Sequence, residues 1–79
     1  MKDLPRKIRR LRQLLNHSQK EVAAHLCISV RTYGKIESGE IRLSTERFGQ
    51  IAAFFNCPPE DLLTATPEEV YLQLRRTGD

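Results

Sequence analysis

Apolar residues recur along this chain at intervals of three and four, the spacing that places side chains on one face of an α-helix. Asp3 and Pro5 are helix-start signals, since aspartate is a good cap residue and proline is tolerated in the first turn. Asn16 is expected to end this helix in the left-handed region. The pattern predicts a first helix over about residues 4–15, with a buried stripe of Leu4, Ile8, Leu11 and Leu15.

The segment from Ser18 to Gly39 contains two helix starts eleven residues apart, with only a tight turn between them. Ser18 and Glu21 have the spacing of a capping box, in which each side chain accepts a hydrogen bond from the other residue's backbone N–H. The first short helix has an apolar face formed by Val22, Ala23 and Leu26. The segment therefore predicts a helix-turn-helix.

The second helix of this pair is predicted to have one packed face and one free face. Ser29 is a suitable cap, Ile28 and Tyr33 occupy hydrophobic-staple positions, and Gly39 is placed to close the helix. At about 100° per residue, Tyr33 and Ile36 point to one side. The opposite side carries Arg31, Gly34, Lys35 and Ser38, flanked at the helix start by Val30 and Thr32. This surface suits the DNA major groove, although two cations alone also fit a solvated basic face.

Three further helices are predicted after this unit. Ser44 is expected to cap a fourth helix, which Asn56 ends, and Pro58 and Pro59 force a turn before a short helix near residues 60–63. A strong start at 66–69 predicts a sixth helix, in which Val70, Tyr71 and Leu74 share one face. That face either packs within the chain or forms a dimer contact. We expect residues 1–64 to form the helix-turn-helix domain and residues 65–79 a C-terminal helix and tail.

The length and composition fit one small soluble domain. Seventy-nine residues leave no room for a catalytic cleft with separate substrate and cofactor lobes, and no nucleophile and base, metal set or phosphate loop can be assembled. An enzyme and a cofactor are therefore not expected. No apolar run approaches the length of a membrane span, and the charged N-terminus lacks the apolar core of a signal peptide. A cytoplasmic location without membrane contact is expected.

Positive charge is concentrated in the first part of the chain. Residues 1–47 carry eleven Lys or Arg against five Asp or Glu, whereas residues 48–79 carry two against five. One end of the domain is therefore expected to face a polyanion. Cys27 and Cys57 lie too far apart for a paired zinc motif, and His17 and His25 add no ligand cluster, so we expect buried free thiols and no metal.

The spacing of the whole set resembles the DNA-binding domain of phage repressors, Cro proteins and many small bacterial regulators (XRE-type). The similarity is most continuous over residues 18–63, and the chain has Cys27 where glycine is common and His17 where an apolar residue is usual. The matching positions are Ile8, Leu11, Arg12, Ser18, Gln19, Glu21, Val22, Ala23, Leu26, Ser29, Ile36, Glu37, Gly39, Leu43, Ile51, Ala52, Asp61, Leu62 and Leu63. The resemblance implies an all-α fold: a five-helix repressor-like helix-turn-helix domain, here with an extra C-terminal helix.

The resemblance also implies roles for individual residues. Arg12 and Glu37 match a structural ion pair that ties the first helix to the end of the recognition helix. Positions that read DNA bases are matched by Val30, Arg31, Thr32 and Lys35. Positions that contact DNA phosphates are matched by Gln19, Ser38, Arg42, Thr45 and Arg47. The implied function is a transcriptional regulator that binds double-stranded DNA as a homodimer on a pseudo-palindromic operator.

Two other interpretations fit the sequence. The run Arg31-Thr32-Tyr33, with Glu37 and Gly39, also resembles restriction-modification controller proteins of similar length. Alternatively, the chain is an antitoxin-type module that uses this fold to hold a toxin, with DNA binding secondary. A protein partner, either a toxin or the polymerase, would then bind the chain, and residues 66–79 are the place to look for it.

Overall fold

The computed structural model describes residues 3–77, which form six helices and no strand. The helices are α1 (Leu4–Leu14), α2 (Gln19–Leu26), α3 (Val30–Ser38), α4 (Thr45–Phe54), α5 (Pro59–Thr64) and α6 (Pro67–Thr77). The predicted all-α architecture is confirmed. Within the same residues, no helix has the length and apolar character needed to cross a membrane.

The helix ends follow the local sequence signals. Ser18, Ser29 and Ser44 have extended backbones, and each side-chain oxygen accepts a hydrogen bond from the backbone N–H three residues ahead. Asn16, at φ 63°, follows the end of α1 in the left-handed conformation as predicted. Asp3 differs from the expectation: it precedes α1, but its side chain makes no capping hydrogen bond. Its backbone is helical (φ −87°, ψ −17°) and lacks the extended conformation of the three serine caps.

The core lies between the apolar faces of all six helices. Ile8 and Leu11 of α1 are fully buried, as the predicted stripe requires, while Leu4 and Leu15 pack at its edge. The other buried apolar residues are Val22, Ala23, Leu26, Tyr33, Ile36, Ile51, Ala52, Phe55, Cys57, Leu62 and Val70. Each helix therefore contributes to one continuous core. Packing of the buried side of α3 against this core fixes the orientation of that helix.

Helix α6 packs against α1 and α5 of the same chain. Thr66 and Glu69 form the predicted capping box, with hydrogen bonds of 2.8 and 3.1 Å. Val70 is 1% exposed and belongs to the core, while Tyr71 and Leu74 are partly buried against it. The structure therefore favours the intramolecular alternative for this stripe. Val70 is not available on the surface as a dimer contact.

The two cysteines differ in environment, so the expectation that both are buried is wrong for one of them. Cys57 is buried and free, and burial, together with the charge of Asp61, raises the pKa of its thiol to about 11. Cys27 is exposed. It follows α2 in the left-handed conformation, at φ 60°, where the side chain points out of the turn rather than into the core.

Candidate nucleic-acid interface

The helix-turn-helix unit consists of α2, a three-residue turn and α3. The complete capping box of Ser18 and Glu21 fixes the start of α2, with hydrogen bonds of 3.0 and 2.7 Å. Cys27 supplies the left-handed residue of the turn, a conformation that costs a non-glycine residue on the order of 1 kcal/mol. Ser29 then starts α3, and Gly39 closes it at φ 80°. The direction of α3 is therefore set by defined caps at both ends.

A buried polar network ties α3 to α1 and α2. Nε of Arg12 donates to one carboxylate oxygen of Glu37 at 2.7 Å, and a terminal guanidinium nitrogen donates to the other oxygen at 3.2 Å. The side-chain amide of Gln19 donates to the same carboxylate at 3.0 Å. A third Arg12 nitrogen reaches the carbonyl oxygen of His17 at 2.9 Å. The bidentate pair expected from the family resemblance is present, and it holds the C-terminal end of α3 in place.

The charge state of this network follows from its hydrogen bonds. The side chains of Arg12 and Glu37 are only 11% and 2% exposed. Burial acts to raise the pKa of Glu37, but Arg12, the nearby Tyr33 hydroxyl and Gln19 together outweigh burial and hold that pKa below its ordinary value. The Glu37 carboxylate, which accepts hydrogen bonds from Arg12, in turn raises the pKa of the Arg12 guanidinium. Both groups are therefore ionised at neutral pH.

The outer side of α3 brings together the four residues that match base-reading positions. Val30 is 48% exposed, and Arg31 is exposed with no side-chain partner among residues 3–76. The hydroxyl oxygen of Thr32 accepts a hydrogen bond from Ser29 at 2.9 Å. Lys35, one turn further along the helix, is half-buried. The surface thus presents two apolar groups and two cations beside one another.

The residues that match phosphate-contact positions fall into two groups. Arg42 and Thr45 are exposed, and Thr45 is the first residue of α4, where backbone N–H groups lack intrahelical partners. The other three side chains already bind within the chain. Gln19 donates to Glu37, Ser38 lies 2.7 Å from a carboxylate oxygen of Glu40, and Arg47 donates to the carbonyl oxygen of Leu26 at 3.1 Å.

Comparison with protein families decides what this unit is. A helix-turn-helix family model of the Cro and phage-repressor (XRE) type matches residues 8–62. The chain belongs to this family. The matched residues include the network and the whole of α2 and α3. No curated protein and no solved structure matched the chain.

Membership of the XRE-type family identifies the chain as a DNA-binding domain. Such domains are typically not enzymes. Residues 3–77 contain no group of three or more His, Cys, Asp or Glu placed to hold a metal ion.

The XRE-type unit also borders a groove of 690 Å³ between the start of α1 and the loop after α3. Arg6 and Arg42 line it together with Ser38 and Gly39, and apolar contributions come from residues including Ile41. Asp3 and Glu40 place carboxylates in or beside the same region. The groove is thus mixed in charge, and Arg42 is one of its exposed lining residues.

Several contacts in and around this site were not foreseen from the sequence. Arg47 holds the last turn of α2 through Leu26, and cations favour that position because helix C-terminal carbonyl groups are unpaired. Glu40 reaches back to Ser38. Because Glu40 directly follows Gly39 at the end of α3, its position in the sequence could have predicted this local contact. His17, at a usually apolar position, packs edge-on against Phe54 with ring centres 4.9 Å apart.

Proposed function

We propose that the chain is a sequence-specific transcriptional regulator that inserts α3 into the DNA major groove. The observation that carries the proposal is the contrast between the two sides of this helix. Tyr33 and Ile36 are buried in the core, whereas Val30 and Arg31 are exposed on the other side. A helix whose inner face and C-terminal end are fixed can present its outer side chains to base edges with a defined register.

The proposed base contacts differ in chemistry. Arg31 has the geometry to donate two hydrogen bonds to a guanine, the commonest specific major-groove contact. Val30 and the methyl group of Thr32 suit a thymine methyl, because the Thr32 hydroxyl is engaged with Ser29. Lys35 reaches a guanine or a neighbouring phosphate. These roles would give α3 a preference for a short run of bases.

The proposed phosphate contacts fix the register of the domain on the duplex. Arg42 supplies an exposed cation that pairs with no side chain of residues 3–76, and Thr45 lies at the start of α4, where the helix dipole favours an anion. Gln19 begins α2 and can offer its backbone N–H while its side chain stays on Glu37. Arg47 retains guanidinium donors beyond the one used by Leu26. Ser38 requires Glu40 to move aside.

We further propose that two copies bind a pseudo-palindromic operator with half-sites about 34 Å apart, one helical turn of DNA. Residues 1–64 would supply the DNA contacts. Helix α6, within residues 65–79, would support the domain through its packing on α1 and α5. A single domain of this size covers few bases, so a second copy doubles the sequence that can be read.

The test is selection of bound sequences from a random DNA pool, followed by affinity measurements against salt concentration for the best site. Arg31→Ala should cost about 1–3 kcal/mol and relax the preference at one base position. Arg42→Ala should weaken binding to all sequences and lower the salt slope by about one. Arg9→Ala, which removes an exposed cation of α1, is the matched control. A pool without an enriched sequence would contradict the proposal.

A further inference from the structure

The exposed side of α6 is a surface that carries none of the residues proposed to contact DNA. Val70 occupies the core, and Tyr71 and Leu74 pack against it, so the inner side of this helix is already used. Leu72 lies on the other side and is 58% exposed, the highest value among the exposed large apolar residues of the described chain. An apolar side chain held in water on a well-packed helix is a candidate contact point.

Leu72 is bracketed by charges of opposite sign. Glu68 and Glu69 lie one turn before it, and Arg75 and Arg76 lie one turn after it; all four are exposed. At about 100° per residue, these four side chains fall within about 60° of Leu72 around the helix. The outer face of α6, defined by these five residues, therefore has an acidic start, an apolar centre and a basic end.

We infer that the outer face of α6 pairs with the same face of a second copy, with the two helices antiparallel. A two-fold axis beside Leu72 brings residues 68 and 69 of one copy level with residues 75 and 76 of the other. On the helical wheel, Glu69 and Arg76 share one flank of Leu72, and Glu68 and Arg75 share the other. The two-fold rotation places the Glu69 and Arg76 flank of one helix against the same flank of the other, and likewise the Glu68 and Arg75 flank. Each acidic residue thus meets a basic residue of the partner, and the two Leu72 side chains meet at the centre.

Three of the four charged side chains are already held in position by their own chain. Glu68 accepts from Arg10 at 3.0 Å, Glu69 accepts from the backbone N–H of Thr66 at 2.8 Å, and Arg75 donates to the hydroxyl of Tyr71 at 2.9 Å. Charges that are oriented beforehand lose less side-chain entropy when a partner arrives. Each remains exposed, so a second copy can still reach it.

The charge pattern selects a second copy over other occupants. The outer face of α6 carries two acidic and two basic residues, so its net charge is zero. DNA would be repelled by the acidic half, and a uniformly charged partner would meet like charge at one end. Self-pairing in the antiparallel direction matches both ends at once. An isologous contact of this kind is the usual arrangement of a two-fold dimer.

The expected dimer is weak by itself. An eleven-residue helix is about 16 Å long, and one central leucine with four charged neighbours covers less area than a standard stable interface. We therefore expect dimers that dissociate on dilution and become favoured when DNA holds two copies side by side. This inference deepens the dimer part of the proposed function and names the contacting surface.

Sedimentation of the full chain over a range of concentrations tests the apolar centre. Leu72→Gln should weaken self-association at least tenfold. Leu63→Gln is the matched control, because Leu63 is an exposed leucine (39%) on α5 and lies outside the proposed contact. Both substitutions are at the surface, and thermal unfolding of each variant checks that the fold is retained. A parent chain that stays monomeric at millimolar concentration, or a dimer indifferent to Leu72→Gln, would overturn the inference.

A charge exchange tests the antiparallel direction. Arg75→Glu alone and Glu68→Arg alone should each weaken self-association, because like charges then face one another across the axis. A mixture of the two variants should restore association at the level of the parent, because both facing pairs become attractive in the mixed dimer. A mixture that associates no more strongly than the single variants would overturn the antiparallel geometry.

DNA binding separates this inference from the proposed function. Leu72→Gln should still bind an isolated half-site with the parent's affinity and should lose only the cooperative gain on a double site. Loss of half-site binding would overturn the assignment of Leu72 to the dimer alone. If neither the parent chain nor any variant prefers a DNA sequence while the dimer tests succeed, the proposed function is contradicted and the α6 contact is supported.

Discussion

Helix α1 carries two arginine–glutamate pairs that join it to other helices, and the two pairs differ in almost every physical respect. Arg12 meets Glu37 of α3 through two hydrogen bonds, with side chains 11% and 2% exposed. Arg10 meets Glu68 of α6 through a 3.0 Å hydrogen bond, with side chains 53% and 56% exposed. The same pair of residue types is therefore found in two different dielectric environments.

The two pairs differ in how each carboxylate would be solvated if its arginine were removed. Water can solvate Glu68 directly, so losing Arg10 leaves no buried charge. Glu37 has no such replacement, and its remaining donor would be the amide of Gln19. The buried pair therefore holds α3 rigidly in place, while the exposed pair only adds to the apolar packing of Val70 and its neighbours.

The largest effect is expected from Arg12→Met. The variant keeps most of the side-chain stem but leaves the Glu37 carboxylate buried and without its cation. Breaking a buried pair in this way costs about 3–5 kcal/mol, a large share of the stability of a small domain. Urea unfolding at neutral pH measures this loss. An unchanged free energy of unfolding would contradict the structural role of the pair.

A double variant supplies the control for that experiment. Arg12→Met combined with Glu37→Met removes both charges, so no uncompensated ion remains in the interior. Buried pairs are often replaced by apolar residues at little cost. The double variant should therefore recover at least half of the stability lost in the single one. A double variant that is less stable than Arg12→Met would show that packing, and not charge, dominates at this site.

The local elements of this fold could be predicted from the sequence because each depends on neighbouring residues. Ser18, Ser29 and Ser44 cap helices through contacts three residues ahead, and those spacings are visible in the chain. The Arg12–Glu37 pair spans 25 positions, and it was predicted only because the family resemblance supplied the partner. Composition and helical periodicity alone would not have joined these two residues.

The contacts that escaped prediction depend on how helices meet in three dimensions. Arg47 captures the carbonyl oxygen of Leu26 only because α4 starts beside the end of α2. Arg10 and Glu68 are 58 positions apart, and no local pattern links them. Cys27 was expected inside because cysteines usually are, yet the left-handed turn directs it outward. The DNA-contacting roles of the residues on the exposed side of α3 and around it stay predictions.

Acid titration sharpens the comparison between the two pairs. The pKa of Glu37 is lowered in the folded chain, so its ionised form adds stability above the unfolded-state pKa of about 4.5, and that stability is lost as the pH falls through the folded-state pKa. At neutral pH, Glu37→Gln should be less stable than the parent. The gap should stay constant above pH 5 and narrow below about pH 4.5, where the carboxyl of the unfolded parent begins to take up a proton, and the folded parent follows at lower pH.

Urea unfolding between pH 3 and 7 measures that gap, and Glu68→Gln is the matched control. The hydrogen bond from Arg10 also lowers the pKa of Glu68, but this carboxyl is fully solvated, so its variant should track the parent much more closely across the same range. A gap for Glu37→Gln that widened as the pH fell would mean that folding raises the pKa of Glu37 instead of lowering it.

The smallest effect is expected from Arg10→Gln, which breaks the exposed pair. Both partners then regain water, and the apolar contacts between α6 and α1 remain, so the melting temperature should fall by no more than about 3 °C. The measurement is thermal unfolding of Arg10→Gln beside Val70→Ala, which keeps the ion pair but removes a core side chain that is 1% exposed. Val70→Ala should lower the melting temperature further, because a buried cavity costs more than a solvated ion pair. If Arg10→Gln were the more damaging of the two, α6 would depend on charge for its position, and the contrast between the two arginine–glutamate pairs would not hold.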